Sequence, residues 1–203
     1  MKLSFLNTVL SVLVAGLMNA CSDEESLTPR PRGYPRVQYP EKDYRSFDAN
    51  YCHFTFQYPS YTQIQRDTAF FEEQPADHCW FDVYYPDFDS RIHFSYYPVG
   101  PYKSLERLKL DAFEMADWHT KRANYIDEIR IYKPESEVYG FAFQIKGPAA
   151  SSFQFYLTDS TDHFVRGALY FNTKARPDSL APVINFVKED IDHLIETFEW
   201  EGD

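Results

Sequence analysis

Seven short runs in which apolar and polar residues alternate, broken by proline and other turn residues, constrain this chain more than any other feature. Runs 54–58, 80–85 and 91–97 come first, and Pro59, Pro86 and Pro98 stop them in turn. A helical stretch then follows Ser104, with Leu105, Leu108, Phe113, Ala116 and Ala123 spaced by threes and fours to about residue 124. Four more alternating runs cover 128–133, 137–146, 152–158 and 163–172, separated by Pro134, Gly147-Pro148 and Asp159-Ser160-Thr161-Asp162. An amphipathic stretch over 179–198 closes the chain, with Leu180, Val183, Ile184, Val187, Ile191, Leu194, Ile195 and Phe198 on one side. Period two predicts strands and a three-to-four spacing predicts helices. Hairpin-length separators imply antiparallel pairing, and each helix must bury its apolar stripe on a sheet. The expected fold class is therefore α+β: a single antiparallel sheet flanked by two long helices.

Composition supports this reading. Aromatic residues make up 18% of the 203 residues, with Phe 18, Tyr 16 and only seven glycines, so the chain buries area through large rings suited to a pleated surface. Hydrophobic residues at 44% and charged residues at 25% exclude a disordered chain, a collagen-like repeat and a polytopic membrane protein. Lys+Arg 20 against Asp+Glu 31 leaves a formal charge of -11, which argues against a nucleic-acid partner because phosphates reward clustered cations.

The first twenty residues read as an address. Lys2 precedes an apolar run from residue 3 to 18 that is too short for a comfortable membrane span, as in a secretory signal. It ends in Leu17-Met18-Asn19-Ala20-Cys21, which resembles the lipobox of bacterial lipoproteins, where the cysteine is acylated and becomes the new N-terminus. Acyl chains on Cys21 would anchor the protein, each buried methylene contributing roughly 0.8 kcal/mol. Ser22-Asp23-Glu24-Glu25 resembles the acidic stretch that marks some Bacteroidetes lipoproteins for transfer across the outer membrane; an acidic linker start is the alternative, so either membrane face remains open. Pro29, Pro31, Pro35 and Pro40 then alternate with Arg30, Arg32 and Arg36, a composition that favours extended backbone and reads as a semi-rigid spacer. The expected organisation is a signal peptide over 1–20, an acidic start and Pro/Arg-rich tether over 21–45, and one α+β domain over 46–203.

Three groups of residues were weighed for chemistry. Cys52 and Cys79 each open an expected strand, and in a secreted protein the pair fits either a disulfide or two buried thiols. A bond would close a loop of roughly 27 residues and contribute about 3 kcal/mol. His53 and His78 beside them complete a zinc-type ligand set, but adjacent strand residues point to opposite faces, so no metal is expected. Asp159-Ser160-Thr161-Asp162-His163 combines hydroxyl, carboxylate and imidazole, yet it has turn composition and lacks the elbow frame of a hydrolase nucleophile. No phosphate-binding, dinucleotide-binding or His-Glu-x-x-His motif occurs in the sequence. Neither an enzymatic activity nor a cofactor is expected.

Several stretches together resemble a known family. They are Pro29-Arg30-Pro31-Arg32-Gly33-Tyr34 after the cysteine, Phe54-Thr55-Phe56-Gln57-Tyr58-Pro59, Lys146-Gly147-Pro148-Ala149-Ala150-Ser151-Ser152 continuing to Ser160, the block 163–171, and the terminal run 190–200. This resembles the gliding-motility lipoprotein family GldD of Bacteroidetes across nearly the whole mature chain. The resemblance implies a small, lipid-anchored, non-enzymatic assembly component of the gliding and type IX secretion machinery. With the lipid anchor, the expected place is the cell envelope, at the outer membrane facing the periplasm or, alternatively, exposed at the cell surface, with other gliding and secretion envelope proteins as partners. The order of elements, together with Phe56-Gln57-Tyr58-Pro59, resembles the Mog1/PsbP-like sandwich; a cystatin-like or unclassified sheet is the alternative. Exposed aromatic and Arg side chains suit a partner surface, and Tyr34, Arg36, Tyr39, His163 and Arg166 are the candidates. The alternative function is a periplasmic small-ligand or cell-wall binding module, with Trp80, Tyr84, Tyr96 and Trp118 lining a pocket.

Overall fold

The computed structural model describes residues 36–66, 77–173 and 177–201. The signal peptide, Cys21, Tyr34 and most of the tether lie outside the described residues. One compact unit runs from Pro35 to the C-terminus.

Among the described residues this unit has ten strands and two α-helices. In chain order they are β1 (Tyr44–Phe47), β2 (Phe54–Pro59), β3 (Gln63–Arg66), β4 (Trp80–Tyr85), β5 (Ser90–Pro98), α1 (Leu105–Asp117), β6 (Tyr125–Lys133), β7 (Val138–Lys146), β8 (Ser151–Thr158), β9 (His163–Phe171), α2 (Pro177–Glu196) and β10 (Glu199–Trp200). The strands form two antiparallel sheets, not the single sheet expected. Seven pair in the order β3-β4-β5-β9-β8-β7-β6, and three form a small sheet in the order β1-β2-β10. The extra sheet exists because β2 has no place in the large one. It pairs with β1 on one side and β10 on the other, and lays Phe54 and Phe56 against the large sheet. Because β1 begins at Tyr44, regular structure starts within the stretch expected to be tether.

Side chains leave the large sheet on two faces. On one, Phe81, Val83, Ile92, Phe94, Phe155, Leu157, Val165 and Leu169 meet the small sheet and the stripe Val183, Val187, Ile191 and Leu194 of α2. The rings stack closely, with Phe47 over Phe81 at 4.6 Å and Phe56 over Phe94 at 5.4 Å between centroids. Gly167 sits under the ring of Phe155, where a Cβ would come within 2.2 Å of a ring carbon, so only glycine lets that ring lie flat on β9. Cys52 and Cys79 are joined in a disulfide that ties the start of β2 to the start of β4, with Cα atoms 5.0 Å apart.

On the other face α1 packs Leu108, Ala112 and Ala116 onto Phe143, Ile145, Tyr156 and Phe164. Ser104 caps this helix, its Oγ accepting from the Arg107 N–H. The helix stops at Asp117 and a 3₁₀ turn, Trp118–Lys121, follows, so the helix is shorter than the spacing predicts. The N–H of Asn124 donates to the Lys146 carbonyl, which draws the chain into β6 and ends the helical path.

Candidate functional site

Three places on this frame concentrate chemistry. The first is a polar cluster at the entry of the chain into the domain. Asp190, buried on α2, accepts hydrogen bonds from Lys42 Nζ at 2.6 Å, Tyr44 OH at 3.0 Å and Tyr61 OH at 2.7 Å. Lys42 also donates to the Phe186 carbonyl and lies 3.6 Å from the centre of its ring. Burial first, and the Asp190 carboxylate second, push the phenols of Tyr44 and Tyr85 above their usual range, and Tyr61 is raised by burial and its hydrogen bond to Asp190. All three stay protonated and can donate at any physiological pH. A buried carboxylate supplied with this many donors acts as a structural clamp.

The second is the free edge of the large sheet. β6 is nine residues long and pairs only with β7 among the described residues, whereas the opposite edge, β3, has four residues. Tyr125 (58% exposed), Ile129 and Tyr132 (60% exposed) project from it into solvent. At its far end Lys133 Nζ donates to the carbonyls of Ile195, Glu196 and Phe198 and so fixes the strand to the C-terminus of α2.

The third is a slot of about 680 Å³ at the end of the large sheet, where the β7–β8 turn separates the 3₁₀ turn after α1 from the first turns of α2. Ile145, Pro148, Phe171, Leu180 and Ile184 form apolar walls, and Trp118, 76% exposed, stands at the mouth. His119 borders it with its Nε2 2.9 Å from the Gln154 amide nitrogen. That nitrogen only donates, so the imidazole accepts there; burial, helped by nearby Arg166, lowers its pKa and keeps it neutral.

The residues named from sequence fall in separate places. Arg36 is exposed, and Tyr39 packs against Phe186 at 4.7 Å and Phe88 at 6.0 Å. His163 stacks on Trp200 at 5.2 Å and its Nδ1 shares a hydrogen bond with Tyr96 OH. Arg166 leaves the opposite face of β9 and touches the sulfur of Met115 on α1. The four therefore form no common patch. Of the rings expected to line a pocket, Tyr96 is buried in the core, Trp80 donates its indole N–H to the Tyr96 carbonyl, and Tyr84 lies against Arg91. Only Trp118 borders the slot. His53 stacks near His163 and Tyr96. Among the described residues no three His, Cys, Asp or Glu side chains converge as a metal site.

The 159–163 run is a turn. Asp159 Oδ1 accepts from the N–H groups of Thr161, Asp162 and His163, and Ser160 takes a left-handed conformation at φ 76°. Sequence reasoning missed the Asp190 clamp, whose carboxylate lies more than a hundred residues from each of its three donors, and the β6 edge, since alternation does not show which strand ends a sheet.

Two sheets with a helix on each face of the larger define an α+β domain, and among the described residues no helix is long and apolar enough to cross a membrane. The chain belongs to the gliding motility lipoprotein GldD family, whose model matches residues 24–200. Among solved structures it is similar to cyanobacterial PsbP (CyanoP) from Synechocystis sp. PCC 6803, at 10% identity and a TM-score of 0.47, over 83% of this chain and 98% of that one. No curated protein matches it.

Proposed function

We propose that this protein is a non-enzymatic assembly component of the gliding machinery and its type IX secretion apparatus, anchored by acyl chains on Cys21 at the outer membrane and facing the periplasm. Family membership supports the assignment to gliding. The observation that carries the assembly role is the β6 edge. A long outer strand with unpaired backbone groups is a template for another strand, and soluble proteins ordinarily blunt such edges. Between the charged Asp127, Glu128, Arg130 and Lys133, this edge also carries Tyr125, Ile129 and Tyr132, the residue types that supply affinity when a partner strand adds on. The partner is an envelope protein that offers an extended segment with apolar side chains.

A photo-crosslinking residue placed at Tyr125 or Tyr132 in living cells tests this. One envelope protein should be captured from both positions and none from Tyr84; with the crosslinker moved to Ile129, Tyr125→Lys with Tyr132→Lys should abolish capture, and the same two substitutions should abolish gliding at normal protein levels. Equal capture from Tyr84, or none from β6, overturns the reading.

A further inference from the structure

We propose that the slot between the 3₁₀ turn after α1 and the first turns of α2 binds a single-chain anionic amphiphile, with its acyl tail inside and its carboxylate or phosphate head at the mouth. This site is independent of the β6 reading. Its volume, about 680 Å³, falls within the roughly 300–1,000 Å³ of small-molecule pockets. Ile145, Pro148, Phe171, Leu180 and Ile184 give it an apolar side on which a hydrocarbon chain can lie.

The charge around the slot selects the head group. Lys121, Arg122 and Lys146 border it and, among the described residues, no acidic side chain does, although the chain as a whole carries -11. None of the three cations forms an ion pair with another described residue; Lys121 lies 5.8 Å from the Trp118 ring and Lys146 lies 5.9 Å from the Tyr125 ring. Three cations left without anions at one mouth, in an acidic protein, create a local positive field that draws in an anionic ligand. Sugars and neutral peptides would leave the three cations unpaired, whereas an anionic amphiphile lays its tail on the apolar side of the slot and its head beside the cations.

The test uses the chain from residue 22 onward without acyl groups, titrated with dansyl-undecanoic acid and followed by dansyl emission. Saturable binding of one probe per chain is expected. Dodecanoate should displace the probe at least tenfold better than dodecanol, and acetate should not displace it. Lys121→Glu, Arg122→Glu and Lys146→Glu together should weaken binding about tenfold, the combined effect of three exposed charges. Ala181→Trp, which fills the slot, should abolish binding at an unchanged melting temperature. Should that variant misfold, the three exposed substitutions still decide the matter. Absence of saturable binding, equal competition by the alcohol and the acid, or unchanged affinity in the charge-reversed chain overturns the proposal.

Discussion

The two faces of the large sheet are built to different standards. One is closed by a second sheet and by α2, stacks phenylalanine rings from five strands, and is fastened by a disulfide and by the Asp190 clamp. Among the described residues the other carries only α1 and a short 3₁₀ turn, holds a much smaller core, and leaves Leu110, Met115 and Trp118 exposed. The slot opens at the end of the sheet where cover from the two sides meets, and β6 is an outer strand of the large sheet. Stability and recognition are thus separated in space. Strong fastening on one face allows the other to expose apolar side chains without loss of the fold.

The largest effect should come from Asp190→Ala, which strands Lys42 and at least two phenols. Breaking a partly buried ion pair by removing one partner costs about 3–5 kcal/mol, readable by chemical denaturation. A loss under about 1 kcal/mol would mean that the face is not fastened there.

A smaller loss, about 2–3 kcal/mol, is expected for Leu108→Ala on α1, at the low end for a buried leucine. Hydrogen exchange should then rise in α1 while α2 keeps its protection. A uniform rise would show that both faces unfold as one unit, and the contrast between them would fail.

The smallest effect concerns the β8–β9 turn, which serves both faces alike. Burial raises the pKa of Asp159, but hydrogen bonds from His163, Thr161 and Asp162 outweigh it and hold the carboxyl below its ordinary value. A lowered folded pKa contributes stability that is present above the unfolded value of about 3.9 and is lost as pH falls through the lower folded value. The stability difference between the native chain and Asp159→Asn should therefore shrink on acidification below about pH 4, with α1 and α2 affected equally. A difference that stays constant from pH 6 to 3 would remove the turn from the account.

Much of this was legible in the sequence, for a physical reason. All seven alternating runs are strands, because period two over five or more residues is a strong signal. β1, β3 and β10, with four, four and two residues, are too short to give one. Without them the second sheet was invisible, since alternation records which residues face a core and not which strand they pair with. Lys121-Arg122 and Lys146-Gly147-Pro148 can be read in the sequence, yet the slot draws its lining from α2 and β9 as well, and no local spacing connects these. Trp118 alone among the predicted pocket rings reached it, because it follows the last turn of α1 and has no core to enter.

Lys42 precedes β1 in the chain and is fastened to the longest helix of the domain. A pull arriving from the N-terminal side therefore meets a charge held by a carboxylate and an aromatic ring before it can peel the first strand from its neighbour. Such a load would be passed to α2 rather than borne by the β1–β2 pairing alone.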